Sequence, residues 1–315
     1  MIDKTDLNPK TLDDFLGQEN NIKVLKTAVS VAKEKKTCID HTLIYGNSGL
    51  GKTTLSRIIA NELGSSFLYI SAPSISNPLE LVSIITNIRE NDVVFIDEIH
   101  RISQKFEEIL YTVMENYKLS FIFSNEEQSK PIEVELPKFT LIAATTLVYK
   151  ISTPLRNRFP IQLKLEDYSL ESIKKMTKRL FRKLRISASN EAIDLVAKSS
   201  RKNPRLLKNN MKRIRDYVIF NKLQSVDVNE VSDVLKQLKI FRDGLTTLDI
   251  EILKTMYIKM KNRPVSLETV SLMVGENKQD ISTIHEPYLV ENGYIIRTKR
   301  GRIVSEKGIE YLNSI

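Results

Sequence analysis

A chain of 315 residues, 41% hydrophobic and 28% charged, is long enough for two or three domains with ordinary cores. Its single cysteine, Cys38, excludes an internal disulfide and a multi-cysteine metal cluster, and three scattered histidines, His41, His100 and His285, argue against zinc. No apolar run approaches the roughly 18 residues of a membrane span and no secretory leader pattern opens the chain, so a cytoplasmic location is the expectation.

The first 165 residues alternate strand-like and helix-like patterns. Residues 41–46 (HTLIYG), 67–72 (FLYISA), 93–98 (VVFIDE), 139–146 (FTLIAATT) and 161–165 (IQLKL) are short runs rich in Ile, Val, Phe and Leu. Amphipathic stretches such as 53–63 and 106–117 lie between most of them. Strands that are apolar on both faces, joined by helices, predict a parallel sheet covered on both sides. The exception is 119–136, where LSFIF and PIEVEL flank a polar SNEEQSK and predict a projecting β-hairpin.

From about residue 170 to 238 the pattern is helical throughout, with Pro204 at a helix start. The net charge of +9 is concentrated here: residues 171–222 carry 16 Lys and Arg against 4 Asp and Glu, while 1–170 carry 19 against 22 and the remainder 13 against 13. Lys174, Lys178 and Arg182 recur beside Lys175, Arg179 and Lys183, opposite an apolar face of Ile173, Met176, Leu180, Phe181 and Leu184. So lopsided a segment favours a polyanionic partner, nucleic acid or phosphate. After Gly244, helical patterns at 247–259, 266–274 and 279–292 lead into GYIIRTKRGRIVS (293–305), two strand-like arms around a Lys-Arg-Gly turn. Three helices and a hairpin outline a winged helix-turn-helix.

The densest chemistry lies in LIYGNSGLGKTTL. Gly46-x-x-x-x-Gly51-Lys52-Thr53 sits after a strand and before a helix, as a P-loop must. Glycines let the backbone turn its N–H groups onto an anion, and the helix that follows adds its N-terminal dipole. Gly46, Gly49, Leu50, Gly51, Lys52, Thr53 and Thr54 therefore form the expected nucleotide-binding turn, with Lys52 on the β- and γ-phosphates of ATP and the Thr53 hydroxyl on Mg²⁺. In VVFIDEIH four apolar residues carry Asp97 to the carboxyl end of a strand, next to the P-loop. Asp97 would hold Mg²⁺ through water, and Glu98 would polarise the attacking water as general base.

GLGKTT, FIDEIHRIS, LPKFTLIAATT, PLRNRF and EPYLVENGYIIRTKRGR, in this order, resemble the AAA+ ATPases and, among them, the RuvB family of Holliday-junction branch-migration motors, from about Asn8 to the C-terminus. The resemblance implies an α/β P-loop domain over 1–166 with a hairpin insertion at 118–137, a helical lid over 167–241 and a winged helix over 242–315. It implies ATP-driven helicase or translocase activity in DNA recombination and repair, in a hexameric ring. Thr146 falls at the sensor-1 position and Arg158 at the arginine finger, with Arg156 as its neighbour and competitor. Arg205 falls at sensor 2, with Arg201 as the alternative, while Tyr168 and the stretch beginning at Asn8 fall at the adenine pocket.

The resemblance also implies that the hairpin, through Phe121, Ile122, Phe123 and Ile132, docks the junction-binding protein RuvA, with the resolvase RuvC as a further partner. The wing, through Arg297, Lys299, Arg300 and Arg302, would meet DNA phosphates without reading sequence. The chain departs from the family pattern at Asn8, where an arginine is usual, at Asn47-Ser48, where two prolines are usual, at Pro160 for glycine, and at Lys202-Asn203 for glycine-threonine. Loss of the prolines predicts a looser empty loop. Two other readings fit parts of the chain: another AAA+ machine such as a clamp or helicase loader, and a DNA-bound nucleotide switch.

Overall fold

The structure is a computed structural model that describes residues 6–125 and 128–315, with the side chains of 78–79 and 120–132 outside the description. The chain forms two compact units, one running through Met176 and including Asn203–Arg205, the other made of Thr177–Lys202 and Leu206–Ile315.

In the first unit the apolar runs become strands β1 (Thr42–Tyr45), β2 (Phe67–Ser71), β3 (Val93–Asp97), β4 (Lys118–Asn125), β5 (Gln128–Glu135), β6 (Thr140–Thr145) and β7 (Ile161–Lys164). Five of them pair in parallel in the order β2-β3-β6-β1-β7. Both faces are covered, which is why the apolar runs are continuous: Val93, Val94, Phe95 and Ile96 are each no more than 2% exposed. Asp97 does not lie on the strand beside the P-loop strand, because β6 pairs with both β1 and β3 and stands between them. Parallel pairing brings the carboxyl ends of all three to one edge.

Helices α1 (Glu19–Lys35), α2 (Lys52–Leu63), α3 (Pro78–Thr86), α4 (Gln104–Asn116) and α5 (Thr153–Asn157) belong to this unit. The α4 helix buries Phe106, Leu110, Val113 and Met114, a helical stripe packed into the same core as β3 and β6. The hairpin is antiparallel, from Lys118 opposite Glu135 to Asn125 opposite Gln128, with Phe121 in register with Ile132. The side chains of Phe121, Ile122, Phe123 and Ile132 lie outside those described.

α6 (Leu170–Leu184) begins in the first unit and ends in the second, which continues with α7 (Asn190–Ser199), α8 (Pro204–Phe220) and α9 (Val228–Gln237). The start of α9 is fixed by Asp227 and Glu230, whose side chains each accept from the other's backbone N–H. This stretch is not wholly helical. β8 (Ser187–Ala188) and β9 (Ser225–Val226) form a two-residue parallel pair joining segments far apart in sequence, which no local periodicity signals.

α10 (Thr247–Lys254) runs on into a π turn at Thr255–Lys259, and α11 (Leu267–Val274) follows. A second helical run comprises α12 (Lys278–Asp280), a π turn at Ile281–His285 and α13 (Glu286–Glu291). β10 (Ile295–Thr298) and β11 (Gly301–Val304) make the antiparallel wing, widened by a bridge from Val265 to Arg302. A last helix, α14 (Glu306–Asn313), seats Tyr311 edge-on against Tyr294 at 5.3 Å between ring centres. The arrangement is a winged helix. Among the described residues no helix is long and apolar enough to cross a membrane.

Candidate functional site

The P-loop turn leaves β1 and enters α2 through backbone that side chains resist. Gly46 has φ 146°, and a Cβ there would meet the Leu165 carbonyl oxygen at 2.5 Å. Gly49 has φ 83°, and a Cβ there would run into the Asn203 amide. Lys52, 7% exposed, folds back so that its Nζ donates to the carbonyls of Gly46 at 2.8 Å and Asn47 at 3.0 Å. These oxygens stand where phosphate oxygens would compete for the ammonium. Burial lowers the Lys52 pKa, with Glu98 and Asp97 opposing and Arg205 adding to the shift.

The two departures beside this turn meet each other. Asn203 donates Nδ2 to the Ser48 carbonyl at 2.9 Å, and Arg205 donates Nη1 to the Ser48 hydroxyl at 3.1 Å. Asn47 donates to both oxygens of Asp167 at 3.1 and 3.3 Å. Side-chain hydrogen bonds thus tie the loop at Asn47 and Ser48. Of the two sensor-2 candidates, Arg205 touches the P-loop, whereas Arg201 is hydrogen-bonded to Asp249 in the second unit.

At the carboxyl edge of the sheet, β3 ends in Asp97 and β6 is followed by Thr146. Asp97 accepts from Tyr69 Oη at 3.3 Å and from the Glu98 backbone N–H at 3.1 Å. Glu98 itself is left-handed, φ 54° and ψ 44°, a conformation that costs a non-glycine residue about 1–2 kcal/mol. Its carboxylate accepts from the Thr146 hydroxyl at 3.3 Å and lies 3.2 Å from His100 Nδ1. That histidine is a group the sequence reading passed over, though it stands two places after Glu98 in the motif. Its Nδ1 is also 2.9 Å from Thr145 Oγ1. Burial lowers its pKa despite the nearby Glu98, so the ring is neutral at pH 7 and the approach to Glu98 is not an ion pair.

The remaining candidates are dispersed. Asn8 shares a cleft of about 400 Å³ with Thr53, Thr54 and Arg57. Tyr168 instead lines a separate cleft of about 490 Å³ with Gln18, Asn21 and Lys164, is 5% exposed, and donates its hydroxyl to the Leu50 carbonyl at 3.0 Å. Arg158 joins neither. It donates to the Pro154 carbonyl and to Glu115, each at 3.1 Å, and its guanidinium lies 4.6 Å over the Tyr111 ring. Its Nε is buried without a partner among the described residues. Arg156 is exposed and donates to Gln162.

On the wing, two of the four expected cations have an internal partner. Arg297 Nε and Arg302 Nε donate to Glu286 at 2.9 and 2.6 Å, and Glu286 is 2% exposed. Lys299 and Arg300, at the turn, are exposed.

Among the described residues no cluster of three or more His, Cys, Asp or Glu could cage a metal ion. One hydroxyl, Thr53, and one carboxylate, Asp97, are donors of the type that suits Mg²⁺, which keeps waters and takes its other ligands from substrate phosphates.

A P-loop and an acidic strand end separated by a hydroxyl-bearing strand, followed by a helical lid, define an AAA+ nucleotide-binding ATPase. Family models agree in detail: the Holliday junction DNA helicase RuvB P-loop domain matches residues 7–165, the RuvB AAA lid domain 168–241 and the RuvB C-terminal winged helix domain 242–313. The Holliday junction branch migration complex subunit RuvB of Campylobacter hominis is 40% identical over 309 residues, covering 98% of this chain and 91% of its own length. The subunit of the same name from Kosmotoga olearia is 38% identical, covering 97% and 90%. A solved structure titled Thermotoga maritima RuvB Holliday junction branch migration motor superimposes with a TM-score of 0.81 at 36% identity, with 98% of each chain covered. The chain belongs to the RuvB family.

Proposed function

We propose that this protein is an ATP-driven DNA translocase, with helicase activity, that promotes branch migration of Holliday junctions in recombination and repair. The observation that carries the reading is the convergence of Lys52, Asp97, Glu98 and Thr146 at one sheet edge in a chain that also bears a cationic wing. The relatives' names point to the same substrate.

In this reading Gly46 to Thr54 cradle the triphosphate of ATP, and Lys52 gives up its two carbonyl partners to the β- and γ-phosphates. Thr53 and Asp97 would hold Mg²⁺, which when bound neutralises phosphate charge. Glu98 takes the proton of the attacking water, held in position by Thr146 and His100. Arg205 meets phosphate in cis. Arg158, whose own chain ties it to Glu115 and Tyr111 away from the P-loop group, serves the nucleotide of a neighbouring subunit, where a permanently charged planar guanidinium stabilises developing charge. Asn8 and Tyr168 border the base and ribose.

We divide the chain at 1–166, 167–241 and 242–315, place it in a hexameric ring, and assign the cytoplasm as its compartment. Lys299 and Arg300, with Arg297 and Arg302 behind them, meet duplex phosphates at any sequence. The hairpin carrying Phe121, Ile122, Phe123 and Ile132 docks RuvA, and RuvC acts on the same junction. The test is migration of a synthetic four-way junction by the purified protein with RuvA and ATP. Product formation that disappears in Glu98→Gln, while ATP binding persists, supports the reading, and undiminished migration by that variant sinks it.

A further inference from the structure

We infer that Arg201 is a positioning residue that couples the nucleotide loop to the winged helix. The inference rests on the ATP-driven reading above and adds a specific path by which occupancy of the site reaches the DNA-binding module.

The path is five residues long. Arg201 and Lys202 both adopt left-handed backbone, φ 51° and 54°, in the turn between α7 and α8. Such a conformation is unfavourable for a non-glycine residue, and it persists only where side-chain contacts over-determine it. At one end of the turn Arg201 is built into the winged helix. Its Nε donates to the Gly244 carbonyl at 2.7 Å, its Nη2 donates to Asp249, and its guanidinium lies 4.3 Å from the centre of the Tyr288 ring. Asp249 is fully buried, and His285 Nδ1 lies 2.7 Å from its second oxygen. At the other end Asn203 and Arg205 hydrogen-bond Ser48 inside the P-loop. Between these anchors, Arg201 and Asn203, stands one residue, Lys202, with no longer linker to absorb movement.

Phosphates entering the loop must compete for the groups that now hold Ser48, so Asn203 and Arg205 shift with occupancy. A planar fork bound to a buried carboxylate and stacked on an aromatic ring resists rotation in a way that one surface ion pair does not. The shift is therefore passed to α10 and α13, which carry Asp249 and Tyr288, rather than dissipated at the lid. Lys202, only partly buried and 3.3 Å from Glu291, adds little.

Two measurements test this. Amide exchange on the full-length protein, with and without a non-hydrolysable ATP analogue, should show altered protection in residues 246–251 and 286–291 of the wild type. Analogue binding with no change there overturns the coupling, whereas failure to bind the analogue at all overturns the ATP-driven reading on which it rests. In Arg201→Gln, basal turnover and analogue affinity should stay within about twofold of wild type, while the ratio of DNA-stimulated to basal turnover falls about fivefold or more. Asp249→Asn should do the same, and the double variant should be no worse than the worse single one. A merely structural Arg201 would lower basal and stimulated rates together. That outcome, or an unchanged ratio, contradicts the inference.

Discussion

The side-chain amide of Asn203 occupies the space that a Cβ on Gly49 would need, while its Nδ2 holds the Ser48 carbonyl at 2.9 Å. Gly49 also has φ 83°, so Gly49→Ala meets both a strained backbone and a crowded one. The substitution should destabilise the first unit by about 1–3 kcal/mol and abolish tight ATP-analogue binding. Adding Asn203→Ala should restore part of the stability by making room. Thermal melts with analogue titrations check this, and wild-type behaviour of Gly49→Ala would contradict it.

Glu98 and His100 should separate in kinetics. Loss of the proposed base in Glu98→Gln should lower turnover about 10²-fold or more with analogue affinity retained. His100 acts only through Glu98 and Thr145, so His100→Ala should lower kcat about tenfold, a smaller loss than that of the base itself. A fall in analogue affinity without a fall in kcat would show that His100 supports the fold of the loop instead.

Arg158→Ala should bind the analogue normally and hydrolyse ATP about 10³-fold more slowly. Arg158→Lys should not rescue, because an ammonium lacks the planar fork. Because the proposed role is in trans, mixing Arg158→Ala with Lys52→Ala, each inactive alone, should restore turnover where an intact P-loop meets an intact arginine. No recovery on mixing would place Arg158 in its own subunit's site.

The wing cations should divide into two pairs. Glu286→Gln leaves Arg297 and Arg302 around a neutral buried partner and should cost about 1–3 kcal/mol. Lys299→Ala and Arg300→Ala should leave stability within about 0.5 kcal/mol and each reduce the salt dependence of DNA binding by about one ion. Measuring DNA affinity against salt concentration, with melts on the same samples, distinguishes the two pairs.

Stability should fall on acidification in two stages. Burial depresses the pKa values of His41 and His100 below their ordinary 6.5, so below that pH the unfolded chain takes up protons that the folded chain refuses. Their contribution is intact above 6.5 and is lost as pH falls through the folded values. For Asp249 and Glu286 burial alone would raise the pKa. Hydrogen bonds and charge from His285 and Arg201 at the first, and from Arg302 and Arg297 at the second, outweigh it and leave both below their ordinary 3.8 and 4.5. A second loss should follow below the ordinary carboxylate range. Melting temperatures that rise between pH 7 and pH 5.5 would carry the wrong sign.

Much of this was legible locally. The P-loop, the acidic end of β3 and the wing are contiguous runs whose residue types state their own geometry, and all five sheet strands fall within one or two residues of their expected bounds. What escaped depends on partners distant in sequence. No local signal pairs Asn203 with Ser48, 155 residues away, or gives Glu286 to Arg297 and Arg302 and so ties two of the wing's four cations to an internal carboxylate. The β8–β9 pair is too short to show a period. The separation of Asn8 and Tyr168 into different clefts likewise depends on how the N-terminal stretch packs.

The decisive experiment is the ATPase rate of the purified protein without DNA, with linear duplex and with a four-way junction, each with and without RuvA. A translocase of junction DNA predicts a low basal rate, stimulation by duplex, and a further rise when junction and RuvA are present together. A rate indifferent to DNA in every combination would contradict it and point to a protein-loading machine or a nucleotide switch.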